Sequence, residues 1–222
     1  MEILSLGTPF GLAFASGLNA YLPMLAFVIS ARWLKLYTVN PNFAFVTSNW
    51  FIAALVVLTL LDFVADKIPL IDHAWDAVHT VVRPIAGAIV AAASSGKFLS
   101  EAHITAITSS TATALASSHV TGRAVVALSA FPAIGLALLA ILLIGGGLAA
   151  LSHTTKSTTR VVSTITTAGL LNIGLSVIED VLVVIIVLLS LFASAIMFVL
   201  LVLVVVFLAP RIFRLLNTRF HW

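Results

Sequence analysis

LDFVADKIPLIDHAWDAVHTVVRP, residues 61–84, holds four of the chain's eight carboxylates (Asp62, Asp66, Asp72, Asp76), two of its six histidines (His73, His79), and both Lys67 and Arg83. Elsewhere the 222-residue chain is lipid-like: 61% of all residues are hydrophobic and 9% are charged, where an average soluble domain has roughly 25% charged. A charge in hydrocarbon costs at least about 2.5 kcal/mol on the most lenient insertion scale, so it persists where it pairs, lines water or does chemistry. The composition defines an integral membrane protein, and residues 61–84 mark its candidate working site.

Other classes fall away. The chain has no cysteine, which excludes disulfides, thiolate nucleophiles, zinc fingers and thiolate-held iron–sulfur clusters. The net charge of +3 comes without a basic run or base-stacking motif, so no nucleic-acid partner is expected and the Lys and Arg residues report orientation instead. Residues 1–22 lack the basic start and small-residue cleavage site of a signal peptide, and the apolar run continues past Pro23; a retained first membrane helix is expected.

Working outward, residues 11–31 are long enough to cross a bilayer, with Ser16, Asn19 and Pro23 at i, i+3 and i+7, predicting one polar, kinkable helical face. Residues 32–49, with Trp33, Tyr37 and Pro41, read as an interfacial loop with aromatic anchors. Residues 50–64 form the second expected span, which Pro69 should end. A new helix from Asp72 then sets Asp72, Asp76, His79 and Arg83 on one face, beside an apolar stripe of Ile71, Trp75, Val78 and Val82. Pro84 and the small residues that follow it predict a separate, short third span.

Residues 97–122 are Ser/Thr-rich and suit a loop, a re-entrant hairpin or a buried helix. Residues 125–151, with Pro132 and the run Gly145, Gly146, Gly147, are the fourth expected span, and SHTTKSTTR (152–160) after it puts His153, Lys156 and Arg160 on one helical face. In the fifth, Asn172, Ser176 and Glu179 fall at i, i+4 and i+7 with Asp180 beside them. Residues 181–209 are 29 residues without a charge, more than one untilted span needs, and predict two helices that turn near residues 192–194.

The expected fold is all-α: a single polytopic membrane domain over residues 1–222 with about six transmembrane helices. Its tentative halves, 1–96 and 124–222, are joined by the Ser/Thr-rich segment 97–123. Three spans per half gives opposite orientations, the inverted-repeat arrangement of many carriers, and SGLNAYLP (16–23) loosely echoes AGLLNIGLS (168–176). With both termini cytoplasmic, the inner side holds seven cations (Lys67, Arg83, Lys156, Arg160, Arg211, Arg214, Arg219) and the outer four (Arg32, Lys35, Lys97, Arg123), in keeping with the positive-inside rule.

Two functional readings follow. Carboxylates embedded beside Lys, Arg and His are what ion-coupled carriers use, because opposite charges tune protonation and make release depend on substrate. The candidate binding set is Asn19, Asp62, Asp66, Lys67, Arg83, His153, Lys156, Arg160, Asn172, Glu179 and Asp180; Asp72, His73, Asp76 and His79 form a secondary set expected to face water. The solute is small or lipid-linked and anionic, the bilayer is the first partner, a second copy of the chain is a further one, and no cofactor is required. The alternative is an enzyme acting on a lipid pyrophosphate, with Mg²⁺ held by the Asp-x-x-x-Asp pairs Asp62/Asp66 and Asp72/Asp76. That spacing is common by chance, and no His-Glu-x-x-His or Gly-x-Ser-x-Gly motif accompanies it. The plainest alternatives are a bracing ion-pair network and, for Asp72 to His79, the wet face of an interfacial helix.

Three stretches carry a resemblance: GLNAYLPML (17–25), DFVADKIPLIDHAWDAVHTVVRPIAGAIVAAA (62–93), and SHTTKSTTR (152–160) with NIGLSVIEDVLVV (172–184). They resemble the bacterial membrane family catalogued as domain of unknown function 4126, over most of the chain. The resemblance implies a small polytopic protein with signature positions at Asn19, Tyr21, Pro23, Asp66, Lys67, Pro69, Asp72, His73, Trp75, Asp76, Arg83, Pro84, His153, Lys156, Arg160, Asn172, Ser176, Glu179 and Asp180, and supplies no substrate. The chain departs from the family pattern at Asp62, where glutamate is usual, and at residues 193–195, where proline is frequent. GLNAYLP is also similar in shape to a re-entrant segment of undecaprenyl-pyrophosphate phosphatases, whose Pro-Gly-x-Ser-Arg-Ser element is missing here.

Overall fold

The computed structural model describes the backbone of residues 3–65, 69–99, 122–167 and 172–217, and the side chains of 4–65, 75–99, 135–165 and 174–207. A 3₁₀ turn (Ile3–Leu6) leads into α1 (Gly7–Ser16) and α2 (Leu22–Arg32); a 3₁₀ helix (Pro41–Thr47) precedes α3 (Asn49–Ala65); then come α4 (Pro69–Ser94), α5 (Gly122–Thr167), α6 (Asn172–Phe192) and α7 (Ser194–Asn217). The described residues contain no strand. Three helical segments are long and apolar enough to cross a membrane: Trp75–Ser94, Gly135–Ile165 and Gly174–Phe192. The pair Pro41–Thr47 and Asn49–Ala65, bent by 64°, makes a fourth if counted as one span. The chain is thus an all-helical membrane protein with three such spans, or up to four, among the described residues, where hydropathy predicts about six.

The difference has a local cause at the start of the chain. The run 11–31 is not one helix: α1 stops at Ser16, and the amides of Leu18 and Asn19 both turn back to the Ala15 carbonyl, at 3.0 and 3.1 Å. Asn19 Oδ1 then accepts from the amides of Tyr21 and Leu22, at 3.1 and 2.8 Å, which opens α2 as an N-cap does. Pro23, whose missing amide costs nothing in a first turn, follows directly. Ser16, Asn19 and Pro23 therefore do not share a helical face, because a break separates them.

Elsewhere the backbone is more continuous than the sequence implies. α4 passes through Pro84, so the charged face of residues 72–83 and the small-residue span after it are one helix. α5 passes through Pro132, the glycine run and SHTTKSTTR for 46 residues, so the expected fourth span and the polar block are also one element. Within the helical polar block the hydroxyls bond inward. Thr154, Thr155, Thr158 and Thr159 each donate to the carbonyl four residues earlier, at 2.7 to 2.9 Å, so these hydroxyls need no water. The division expected near residues 192–194 is present, with α6 and α7 meeting at Ala193. Residues 100–121, most of the Ser/Thr-rich segment, lie outside the described residues.

α1 is the centre of the packing. It touches α2, α4, α5, α6 and α7 and is buried on nearly every side, from Gly7 to Ser16. Phe27 and Val28 of α2, Val90 and Ala91 of α4, and Val183 of α6 complete the core around it. α4 and α5 approach closely because glycine faces alanine: a Cβ on Gly145 would fall 2.6 Å from Ala91 Cβ, and one on Gly87 would fall 2.4 Å from Ala149 Cβ. Small residues at this interface are how membrane helices gain packing where no hydrophobic force drives them together. That seam sets α4 and α5 side by side, with Asp76, His79 and Arg83 of one opposite His153, Lys156 and Ser157 of the other.

Candidate functional site: a buried charge network

Between α3, α4 and α5 lies the first group of charges. Asp62 and Arg83 are fully buried, and His79 is 1% exposed. Asp62 Oδ1 accepts from Trp75 Nε1 at 2.8 Å and faces His79 Nε2 at 3.6 Å and Arg83 Nη2 at 3.8 Å. Arg83 Nη1 reaches Asp76 Oδ1 at 3.3 Å and His153 Nδ1 at 2.9 Å. Asp76 Oδ2 accepts from Ser157 Oγ at 2.8 Å. The second carboxylate oxygen of Asp62 is buried with no hydrogen-bond partner among the described residues.

The hydrogen-bond roles separate the two histidines. Arginine only donates, so His153 Nδ1 accepts from Arg83, which suits a neutral ring with its proton on Nε2, where Thr80 Oγ1 lies 3.3 Å away. His79 is arranged the other way: its Nδ1 lies 2.8 Å from the Trp75 carbonyl, an acceptor, so Nδ1 carries a proton. Nε2 is then turned toward Asp62, where a second proton makes an ion pair. Tyr21 and His79 pack with their rings nearly perpendicular, with centroids 5.7 Å apart.

The second group lies where α5 meets α6 and the break after α1. Glu179 Oε2 takes Arg160 Nη2 at 2.7 Å and Lys156 Nζ at 3.3 Å. Lys156 Nζ also donates to the Leu18 carbonyl at 3.1 Å, and Ser152 Oγ donates to the Phe14 carbonyl at 2.6 Å. The last turn of a helix exposes carbonyls that need donors and carries the negative end of the helix dipole; Lys156 and Ser152 supply both donor and charge. Gly17 makes this close approach possible, since a Cβ there would fall 1.8 Å from Ser152 Oγ.

Of the residues expected at a binding site, the fold therefore gathers Asp62, Arg83 and His153 in one group and Lys156, Arg160 and Glu179 in the other. His153, Lys156 and Arg160, on the face of α5 expected from their spacing, join the two. Asn19 stands at the break, where its Oδ1 takes the Tyr21 and Leu22 amides, and is 3% exposed; Asp180 is half-buried beside Glu179. Asp66 and Lys67 lie outside the described residues, as do the side chains of Asp72, His73 and Asn172. One expectation is reversed: Asp76 and His79 do not form a water-facing set but bond into the buried group, because their face of α4 turns toward α3 and α5. Trp75, Ser152 and Ser157 contribute partners that the charge pattern alone does not single out. Trp75 was legible in principle, as it lies one turn before His79.

Among the described residues no three His, Asp or Glu side chains come close enough to hold a metal ion. Asp62 and Asp76, one from each Asp-x-x-x-Asp pair, both face Arg83 instead. A cavity of about 720 Å³ lies apart from this network, between Arg32, Lys35, Tyr37, Ser48 and Asn49. Nearby, Trp33 is exposed under the Arg32 guanidinium at 5.3 Å, as expected of an interfacial anchor.

A helical membrane protein with mutually paired charges buried between its spans is the class these observations define. The family model described as Domain of unknown function (DUF4126) matches residues 6–141 and 122–214, and the chain belongs to that family. No curated relative and no solved structure matches it.

Proposed function

We propose that this protein is a carrier that moves a small or lipid-linked anionic solute across a bacterial cytoplasmic membrane, coupled to protons. The observation that carries this reading is the mutual pairing of buried carboxylates and cations. Among the described residues, the carboxylates of Asp62, Asp76 and Glu179 face Arg83, Lys156 and Arg160, with His79 and His153 among them. An anionic solute gains a partner either by displacing a carboxylate, which then takes up a proton, or by entering with a proton on a histidine. His79, whose Nε2 faces Asp62 at 3.6 Å, is the proton acceptor in this reading.

The break between α1 and α2 supports the same reading. Carriers place their sites at interrupted helices, whose free ends bind charge without added side chains. Six spans in two inverted halves, with both termini cytoplasmic, belong to this proposal. Removing the buried Arg83, Lys156 and Arg160 from the count of inner cations leaves four against four; six crossings put both termini on one side, and reporter fusions at both termini test which side that is. The enzyme reading needs carboxylates free to take a cation, and no observation favours it over the pairing with Arg83.

The test is uptake or flipping of anionic solutes by proteoliposomes under an imposed proton gradient. Asp62→Asn, Lys156→Ala and Glu179→Gln, each checked for folding, are expected to abolish movement. Unchanged movement in all three folded variants would remove the network as the transport site.

A further inference from the structure

Two cations that the buried network does not use, Arg32 and Lys35, line the cavity of about 720 Å³ between the end of α2 and the start of α3, with Thr38, Ser48 and Asn49 as further polar lining. No carboxylate lines it. Along α3 the first carboxylate is Asp62, 13 residues past Asn49, or about 20 Å at 1.5 Å per residue. In the network Arg83, Lys156 and Arg160 each face a carboxylate; here two cations stand together without one. Lys35 has no hydrogen bond or ion pair to any described residue.

The backbone brings further donors to the same place. Arg32 Nη1 donates to the Thr47 carbonyl at 2.7 Å, which ties the end of α2 to the residue before Ser48 and leaves the other guanidinium N–H groups to donate elsewhere. Ser48 Oγ accepts the Phe51 amide at 3.4 Å. The amides of Asn49 and Trp50, at the positive end of a 17-residue helix, have no acceptor within it. Lys35 itself has φ 53°, the one positive value at a non-glycine residue among the described residues. Glycine or asparagine is the usual occupant of such a helix end, because a larger side chain is disfavoured there. A lysine in this place puts an ammonium on the cavity wall.

The segments that supply the lining also carry Trp33, Leu34, Leu36, Phe45 and Trp50, all more than half exposed. Exposed aromatic and apolar side chains around a polar cavity mark the head-group level of a bilayer. Cations, hydroxyls and a helix N-terminus with no acid among them complement a phosphate oxyanion. Small-molecule sites run from roughly 300 to 1,000 Å³, so the cavity has room for a whole head group.

We propose that this cavity binds a phosphate-type anion at the membrane surface, with Lys35 and Arg32 as its charge partners and the first turn of α3 as a further donor. The site stands apart from the carrier reading, since none of these residues belongs to the buried network. One pair of probes is dioctanoyl phosphatidylglycerol and its zwitterionic counterpart dioctanoyl phosphatidylcholine, read by native mass spectrometry on the purified full chain in uncharged detergent. The other is inorganic phosphate against chloride at equal ionic strength, read by isothermal titration. The phosphatidylglycerol is expected to bind about tenfold more tightly than the phosphatidylcholine, whose cation meets no carboxylate here. Lys35→Gly relieves the positive φ, so it is expected to keep or raise the melting temperature while weakening phosphatidylglycerol about fivefold, the scale of one basic residue at an anionic surface. Lys35→Asn serves if Lys35→Gly does not fold. Lys97→Gln, at an exposed cation outside the lining, is expected to leave binding unchanged. Binding of inorganic phosphate that falls in Lys35→Gly, with no preference between the lipids, upholds the anion site and makes its source soluble. Equal affinity for both lipids without Lys35-dependent phosphate binding overturns the proposal. Equal losses in Lys97→Gln and Lys35→Gly also overturn it, because the effect would then be one of overall charge.

Discussion

The two charged groups are built from the same residue types and differ in how they share partners. In the group between α3, α4 and α5, Arg83 reaches Asp76 at 3.3 Å, Asp62 at 3.8 Å and His153 at 2.9 Å, and Asp62 keeps one oxygen unbonded among the described residues. In the group at the helix break, two cations converge on Glu179 at 2.7 and 3.3 Å, and one of them also holds the end of α1. The first is a mesh, in which Arg83 is shared among Asp62, Asp76 and His153. The second is a brace, in which one carboxylate satisfies two buried cations. The difference teaches where function and stability are expected to separate within one network.

The largest effect is expected from breaking the brace. Glu179→Ala leaves Lys156 and Arg160 without the carboxylate they converge on, and loss of one side of a buried pair costs about 3 to 5 kcal/mol; unfolding in detergent micelles checks this. Filling the seam that aligns the two groups comes next. Gly145→Val pushes α4 from α5, and overpacking of this kind costs about 1 to 3 kcal/mol. In that variant the Trp75 fluorescence should shift as its bond to Asp62 is disturbed, an effect read most cleanly with the other tryptophans replaced by phenylalanine.

Smaller still is the loss of a cap. Asn19→Ala removes the acceptor at the start of α2 and should cost about 1 kcal/mol, while Asn19→Asp or Asn19→Ser restores most of it; thermal melts of the three variants decide. The smallest stability change is expected in the mesh. Asp62→Asn keeps an acceptor for Trp75, and Arg83 keeps Asp76, so unfolding should move by no more than about 1 kcal/mol, the scale of one hydrogen bond, while transport is lost. An Asp62→Asn protein destabilised as much as Glu179→Ala would make the mesh a second brace and remove the contrast.

The legibility of these groups in the sequence is uneven for physical reasons. His153, Lys156 and Arg160 were readable as one face because α5 is a regular helix there, and spacing maps directly onto direction. The partnership of that face with residues 61–84 followed from the cost of isolated charge in lipid. Asp76 and His79 were misread because an amphipathic helix looks the same whether its polar face meets water or another polar face. The boundaries of α4 and α5 were misread because Pro84 and the Thr-rich block look like interruptions. In fact the threonine hydroxyls satisfy themselves on their own helix, and α4 and α5 support each other along the seam of small residues.

By itself, then, the sequence determined that the chain lives in a membrane, is helical, and keeps its few charges together. Those conclusions rest on transfer energies and local periodicity, which need no partner. Only the tertiary structure decided that the first hydrophobic run breaks at residues 17–21, that Lys156 closes the break, and that Arg83 stands between Asp62 and Asp76. Each of these depends on groups from helices far apart in the chain meeting in one low-dielectric space, where pairing is settled by packing and not by order along the sequence.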